Sequence, residues 1–193
     1  MIRFGVAKRS FPGNSWCGDA ALIHEDDARV VMAVVDGLGH SQKAAHAAQL
    51  AVARLGECMA LPLQDMLRSV EDALRGTVGG ALGIAVIHKE RAILETCGVG
   101  NIGLQLSTRA RLFRFTGEPG IMGERGSRFR PVSFSYQAGD VVVMYSDGIR
   151  SAYSARDLVH ILYPDPGRIS KRILDEYARP DDDALVLVGC ETG

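Results

Sequence analysis

Several absences narrow the reading before any motif is considered. No apolar run comes close to the ~20 residues that a membrane-spanning helix needs. The opening stretch MIRFGVAKRS holds no apolar segment of signal-peptide length, so the expected compartment is the cytoplasm. Lys and Arg number 22 against 23 Asp and Glu, a formal net charge of -1, which leaves no basic excess for gripping a nucleic-acid backbone. The four cysteines, Cys17, Cys58, Cys97 and Cys190, are scattered with no CxxC pair. That argues against a zinc site or a redox motif and suits a reducing compartment. Cys17 and Cys97 read as small core residues. There is no dinucleotide-binding glycine loop, no CxxxxxR loop, no internal repeat, no low-complexity tract and no linker. The 193 residues are expected to form one domain, 1–193, with a sizeable core.

What is present is a change of period along the chain. Ile2 to Lys8 alternates weakly and predicts a strand, and the Gly-, Pro-, Ser- and Asn-rich Ser10 to Gly18 predicts a loop. Ala28 to Val35 is a β-branched apolar run, read as a buried strand, that ends on Asp36-Gly37. Ser41 is placed to cap an alanine-rich helix reaching about Met59, and Leu63 to Leu74 predicts an amphipathic helix with Met66, Leu67, Val70 and Leu74 on one stripe. Gly80 to His88, Ala92 to Cys97, Ile102 to Ser107 and Arg111 to Phe115 then read as an antiparallel meander. Gly117 to Arg130 is irregular. Val132 to Tyr136 and Val141 to Tyr145 predict strands, Ile169 to Tyr177 a helix, and Ala184 to Val188 a closing strand. Helices set among many antiparallel strands predict an α+β fold, two packed antiparallel β-sheets flanked by helices.

Three acidic sites share one context. Asp36-Gly37 and Asp147-Gly148 each follow a hydrophobic strand, and Asp181-Asp182-Asp183 immediately precedes one. A strand holds its terminal residue rigidly, as a metal ligand requires. Glycine after the aspartate allows unusual backbone angles and a close approach to the backbone. A single Asp-Gly pair reads more readily as a simple turn. Two such pairs at strand ends, with an acidic triplet at the start of a third strand, suggest carboxylates brought together. Each close pair would repel by up to ~4 kcal/mol at ~4 Å for an effective dielectric of ~20, which divalent cations would offset. All-oxygen ligation points to Mg²⁺ or Mn²⁺.

These residues carry a family resemblance. VVDGLGHSQKAA is similar to the first metal motif of the PPM family of metal-dependent protein phosphatases, a strand followed by DGxG and a helix. GVGN, GEPGIMG and AGDVVVMYSDGI follow in that family's order, the last closely resembling the compact bacterial SpoIIE-like branch. DDDALVLV resembles the terminal DD-x-T-x-x-V motif, and CGDA the first acidic motif. The resemblance covers essentially the whole chain and implies an αββα sandwich. It also implies hydrolysis of phosphoserine or phosphothreonine by a water activated between two divalent cations, Mn²⁺ or Mg²⁺. In the implied roles Asp36 bridges the two metals, Gly37 lends its carbonyl, Asp147 and Asp182 bind the other metal, and Asp19 acts through water. Small size without a sensor domain resembles the stressosome feedback phosphatases of that branch, implying a phosphorylated STAS-domain protein as partner.

Three positions depart from the pattern. Leu38 stands where many relatives have a histidine near the leaving group, and leucine cannot donate a proton. Asn101 stands near a third-metal aspartate, so a two-metal core is expected. No arginine lies shortly before Asp19; Arg9 is further upstream and reads as a solvated side chain. His40 is a candidate substrate contact, and Arg125, Arg128 and Arg130 are candidates for greeting an acidic or phosphorylated partner. Two other readings stand beside the phosphatase: a pseudophosphatase that docks phosphoproteins without turnover, and a hydrolase of another phosphate ester.

Overall fold

A computed structural model describes residues 1–124, 126–150 and 165–191. Among the described residues, ten strands form two antiparallel five-stranded sheets. One sheet runs β1 (Ile2–Arg9), β10 (Ala184–Glu191), β9 (Val141–Tyr145), β6 (Gly103–Ser107) and β7 (Leu112–Thr116). The other runs β2 (Asp19–Glu25), β3 (Arg29–Gly37), β4 (Gly80–His88), β5 (Ile93–Val99) and β8 (Val132–Ser135). Helices α1 (Gln42–Glu57) and α2 (Leu63–Leu74) cover the second sheet, and α3 (Pro166–Tyr177) covers the first. The expected αββα layering is therefore observed.

The apolar run of β3 is continuous because both of its faces are buried. Val31, Ala33 and Val35 face the helices, while Val30, Met32 and Val34 face the other sheet. Side chains alternate across a strand, so a strand packed between two layers needs no polar side. In β10, likewise, Leu185 and Leu187 enter the inter-sheet core while Ala184, Val186 and Val188 pack beneath α3. Burying such a side chain fully contributes roughly 1.5–3 kcal/mol. The alanines of α1 lie against the second sheet, with Ala44, Ala47, Ala48 and Ala51 almost fully buried. Ser41 is the residue before α1, as expected, but its side chain makes no capping hydrogen bond.

Two expectations need correction. The four middle strands are not a meander. β4 and β5 pair in one sheet, β6 and β7 in the other, and β5 takes β8 as its second neighbour. Gly100, at φ 89°, turns the chain out of the second sheet there, and its N–H donates to Glu118 O at 2.8 Å instead of continuing a hairpin. Strand β2 was not foreseen. It is an edge strand that mixes Asp19, His24 and Glu25 with half-buried Ala and Leu, so it lacks both a β-branched run and clean alternation.

Candidate active site

Strand register brings the acidic residues together. Asp36 continues the face of β3 that carries Val30, Met32 and Val34, so it looks across the sandwich toward the other sheet. Asp19 is its direct cross-strand partner on β2. From the opposite sheet, Asp147 leaves the end of β9, and Asp182 and Asp183 precede β10, which pairs with β9. The inter-sheet space opens here into a cleft of about 690 Å³. Asp36, Asp147, Asp182, Leu38, His40 and Asn101 are among its lining residues.

Each carboxylate has a distinct set of partners. Asp36 and Asp147 stand close enough for the charge of one to bear on the other. Burial, with the charges of Asp19 and Asp147, pushes the Asp36 carboxyl well above the ordinary range. Asp19 is almost completely buried, and desolvation lifts it to about 7 despite a hydrogen bond from Ser146 that favours its charged form. Asp182 is raised by burial and by Asp147. Asn101 Nδ2 donates to Asp147 Oδ2 at 2.6 Å.

The acidic triplet divides by role. Asp181 is exposed and Asp182 lines the cleft. Asp183 is buried and turned inward, accepting from Phe11 N–H at 2.7 Å and Gly18 N–H at 3.0 Å. Burial alone would raise Asp183, but these two hydrogen bonds hold it below the usual carboxylate range. It thus fastens the loop 10–18 to the floor of the site. His40 stacks on Phe11 with ring centroids 4.9 Å apart, its Nδ1 3.6 Å from Asp182 and 3.4 Å from Asp183.

The glycines of the two Asp-Gly pairs have a packing reason. A Cβ on Gly37 would strike the Ala44 carbonyl at the start of α1, and one on Gly148 would strike the Asp183 carbonyl. Protein backbone, rather than a ligand, fills the space beside each. Arg9 is not a solvated side chain, since its guanidinium donates to Arg179 O and its Nε is buried. Of the arginine cluster, Arg125 lies outside the described residues. Arg128 is exposed, and Arg130 approaches Glu118 at 3.9 Å; neither lines the cleft. The Gly117–Arg130 segment reaches the cleft instead through Gly117, Pro119, Gly120 and Ile121. Sequence reasoning missed Ser146, whose signal was its place between a buried strand and Asp147.

Among the described residues, no three Asp, Glu, His or Cys side chains already surround one point as they would a bound cation. The chemistry of the set nevertheless fits a hard divalent cation. The donors are all oxygens, they crowd one another's charge, and Asp19 Oδ1 is buried with no hydrogen-bond partner.

The family model for stage II sporulation protein E (SpoIIE) matches residues 26–189. The chain belongs to the SpoIIE family. It is therefore one of the PPM-class protein serine/threonine phosphatases. This SpoIIE-family chain is 26% identical over 139 residues to phosphoserine phosphatase RsbX of Bacillus subtilis (strain 168), covering 71% of this chain and 69% of that one. A chain from a structure described as the bacterial stressosome, a modular system adapted to control secondary messenger signalling, is 28% identical. It superposes with a TM-score of 0.93 over 98% of this chain and 99% of that chain. RsbX in complex with magnesium has the same fold, with a TM-score of 0.86 and 21% identity over 97% of this chain and 94% of that chain. Among the described residues, no helix is long and apolar enough to cross a membrane.

Proposed function

We propose that this SpoIIE-family phosphatase hydrolyses phosphoserine or phosphothreonine on a partner signalling protein, at a pair of divalent cations, Mn²⁺ or Mg²⁺, held at the floor of the cleft. The observation that carries this reading is the meeting of Asp36 and Asp147, one from each sheet, with Asp19 and Asp182 beside them. In this reading Asp36, the Gly37 carbonyl, Asp147 and Asp182 would hold the cations, and Asp19 would assist through water. Bound there, the cations supply an activated water near neutral pH and Lewis acidity toward the phosphoryl oxygens.

The protein's own groups have separate tasks. Asn101 holds Asp147 by a hydrogen bond to one oxygen and leaves the other carboxylate oxygen for ligation. Leu38, 56% exposed at the cleft, shields without transferring a proton. His40 is supported from behind by Phe11 and stands over Asp182, where it can meet the substrate. Similarity to RsbX and to the stressosome chain supports a phosphorylated STAS-domain protein as the partner. Arg125, Arg128 and Arg130 would then greet that partner through its acidic or phosphorylated groups.

The test measures phosphate release from a phosphoserine- or phosphothreonine-bearing STAS-domain protein, and from a short peptide of the same phosphosite, with Mn²⁺, Mg²⁺ or EDTA. Turnover that needs the cation and favours the intact protein is expected. Full activity in EDTA after metal stripping overturns the cation site. Binding of the phosphoprotein without turnover in any metal favours a docking pseudophosphatase.

A further inference from the structure

Ser146 is fully buried between the end of β9 and Asp147. A serine hydroxyl has one proton to donate and lone pairs to accept with. Here the hydroxyl donates to Asp19 Oδ2 at 2.6 Å and accepts from Leu185 N–H at 3.0 Å. The main-chain N–H of Ser146 in turn donates to Leu185 O at 3.1 Å. The side chain is thus held from two directions. Ser146 and Leu185 belong to one sheet and Asp19 to the other, so the hydroxyl ties the two sheets together at the cleft floor.

The consequence falls on the second oxygen of Asp19. Oδ2 is satisfied by Ser146, while Oδ1 is buried and has no hydrogen-bond partner. It is the one carboxylate oxygen in that condition among the described residues. Leaving a buried acceptor unpaired costs ~1–3 kcal/mol, so a ligand for that oxygen is the economical explanation. Asp36 stands directly across the ladder, on the same face.

We propose that Ser146 is a positioning residue, whose hydroxyl fixes the rotation of the Asp19 carboxylate so that Oδ1 is kept for a divalent cation or for its water. The proposal rests on the cation reading of the cleft. It differs from a purely structural role, in which the hydroxyl matters only as a partner for Leu185 N–H. In that case the loss of the hydroxyl lowers stability and leaves cation affinity alone.

The experiment titrates Mn²⁺ by calorimetry into the wild-type chain and into Ser146→Ala, Ser146→Thr, Asp19→Asn and the Ser146→Ala/Asp19→Asn double variant. Circular dichroism and the Tm of the metal-free forms monitor the fold. Ser146→Ala is expected to weaken Mn²⁺ binding about 10–100-fold, the usual effect of removing a group that orients a ligand. Ser146→Thr, which keeps the hydroxyl, is expected to restore most of it. In the Asp19→Asn background the serine change is expected to add little, because its effect passes through Asp19. If alanine does not fold, Ser146→Cys keeps the size and weakens the donor, and must show the same loss. Unchanged Mn²⁺ affinity in a folded Ala or Cys variant overturns the proposal, as does an equal loss in the Asp19→Asn background. A wild-type chain that binds no Mn²⁺ overturns the cation reading itself, which separates that failure from this one.

Discussion

At the floor of the cleft, Asp36 and Asp147 leave the ends of strands whose positions are set by hydrogen-bonded ladders on both sheets. Along its rim, Leu38, His40, Gly117 and Gly120 stand on loops, and His40 is placed by contact with Phe11 and proximity to Asp183. The floor is rigid, buried and overcharged, so a change of one charge there alters both chemistry and stability. The rim is more exposed and locally supported, so changes there should alter recognition and leave the fold alone. Charge crowding tolerated at a fixed place is the mark of a ligand site, whereas charge displayed on a loop is inexpensive and less specific.

The largest expected effect tests the floor. Asp36→Asn and Asp147→Asn should each lower kcat by about a thousandfold, near ~4 kcal/mol of lost transition-state stabilisation. Thermal unfolding of the same metal-free proteins should show an equal or higher Tm, because asparagine removes an ionisable group from a buried, crowded acidic cluster. Chelation should abolish wild-type turnover. Returning the cation at a hundredfold excess over its Kd should add ~2.7 kcal/mol of stability. An Asp36→Asn variant that unfolds while its metal-free parent is stable would mean that the carboxyl has a structural task.

The pH dependence separates floor from rim in another way. Asp19 is raised from 3.8 to about 7 in the folded chain, and Asp36 is also raised, chiefly by burial. The folded state therefore holds protons that the unfolded state has released. Stability of the metal-free protein should fall as pH rises from about 4 through 7, by roughly 2–4 kcal/mol, and fall further as Asp36 ionises. With saturating Mn²⁺ the trend should flatten or reverse, since ligation favours the charged carboxylates. Chemical denaturation at pH 5 and pH 8, with and without metal, measures it. A metal-free stability that is level across this range would show that the floor is solvated like the rim.

Within the triplet, Asp182→Asn should cost at least ~tenfold more activity than Asp181→Asn, a difference of about 1.4 kcal/mol. Asp181 is exposed, whereas Asp182 faces the cleft. The reverse order in a steady-state assay would exchange their roles. Smallest of all, His40→Ala should cost less than ~tenfold. Replacing Arg125, Arg128 and Arg130 by alanine should lower kcat/KM on an intact phosphoprotein by about fivefold, more at low salt, without affecting a phosphopeptide. Equal effects on both substrates would place those arginines in the chemistry and not in docking.

How much of this was legible in the sequence depended on local periodicity. Leu63–Leu74, Gly80–His88 and Val141–Tyr145 begin and end where their patterns said they would. Their hydrophobic stripes and flanking turn residues are local signals that no neighbour overrides. β2 was hidden because an edge strand leading away from an acidic site carries a mixed face. The acidic residues were legible as a set, through their position beside strands and the order of the motifs around them. Ser146 was not, because a serine beside Asp147 looks like any turn serine until its partner is known.

The amino-acid sequence by itself determined that this chain has strands buried on both faces, alanine-lined and amphipathic helices, and aspartates at strand ends in the order of the PPM motifs. Only the tertiary structure decided that β5 and β6 part into different sheets and that Asp19 lies opposite Asp36. It also decided that Asp183 turns inward to Phe11 and Gly18 while Asp182 faces the cleft, and that one serine hydroxyl ties the two sheets at their acidic end. The reason is physical. Periodicity and turn chemistry act between residues a few positions apart, whereas Ser146 and Asp19 are 127 positions apart in the chain and meet only when both ladders have closed.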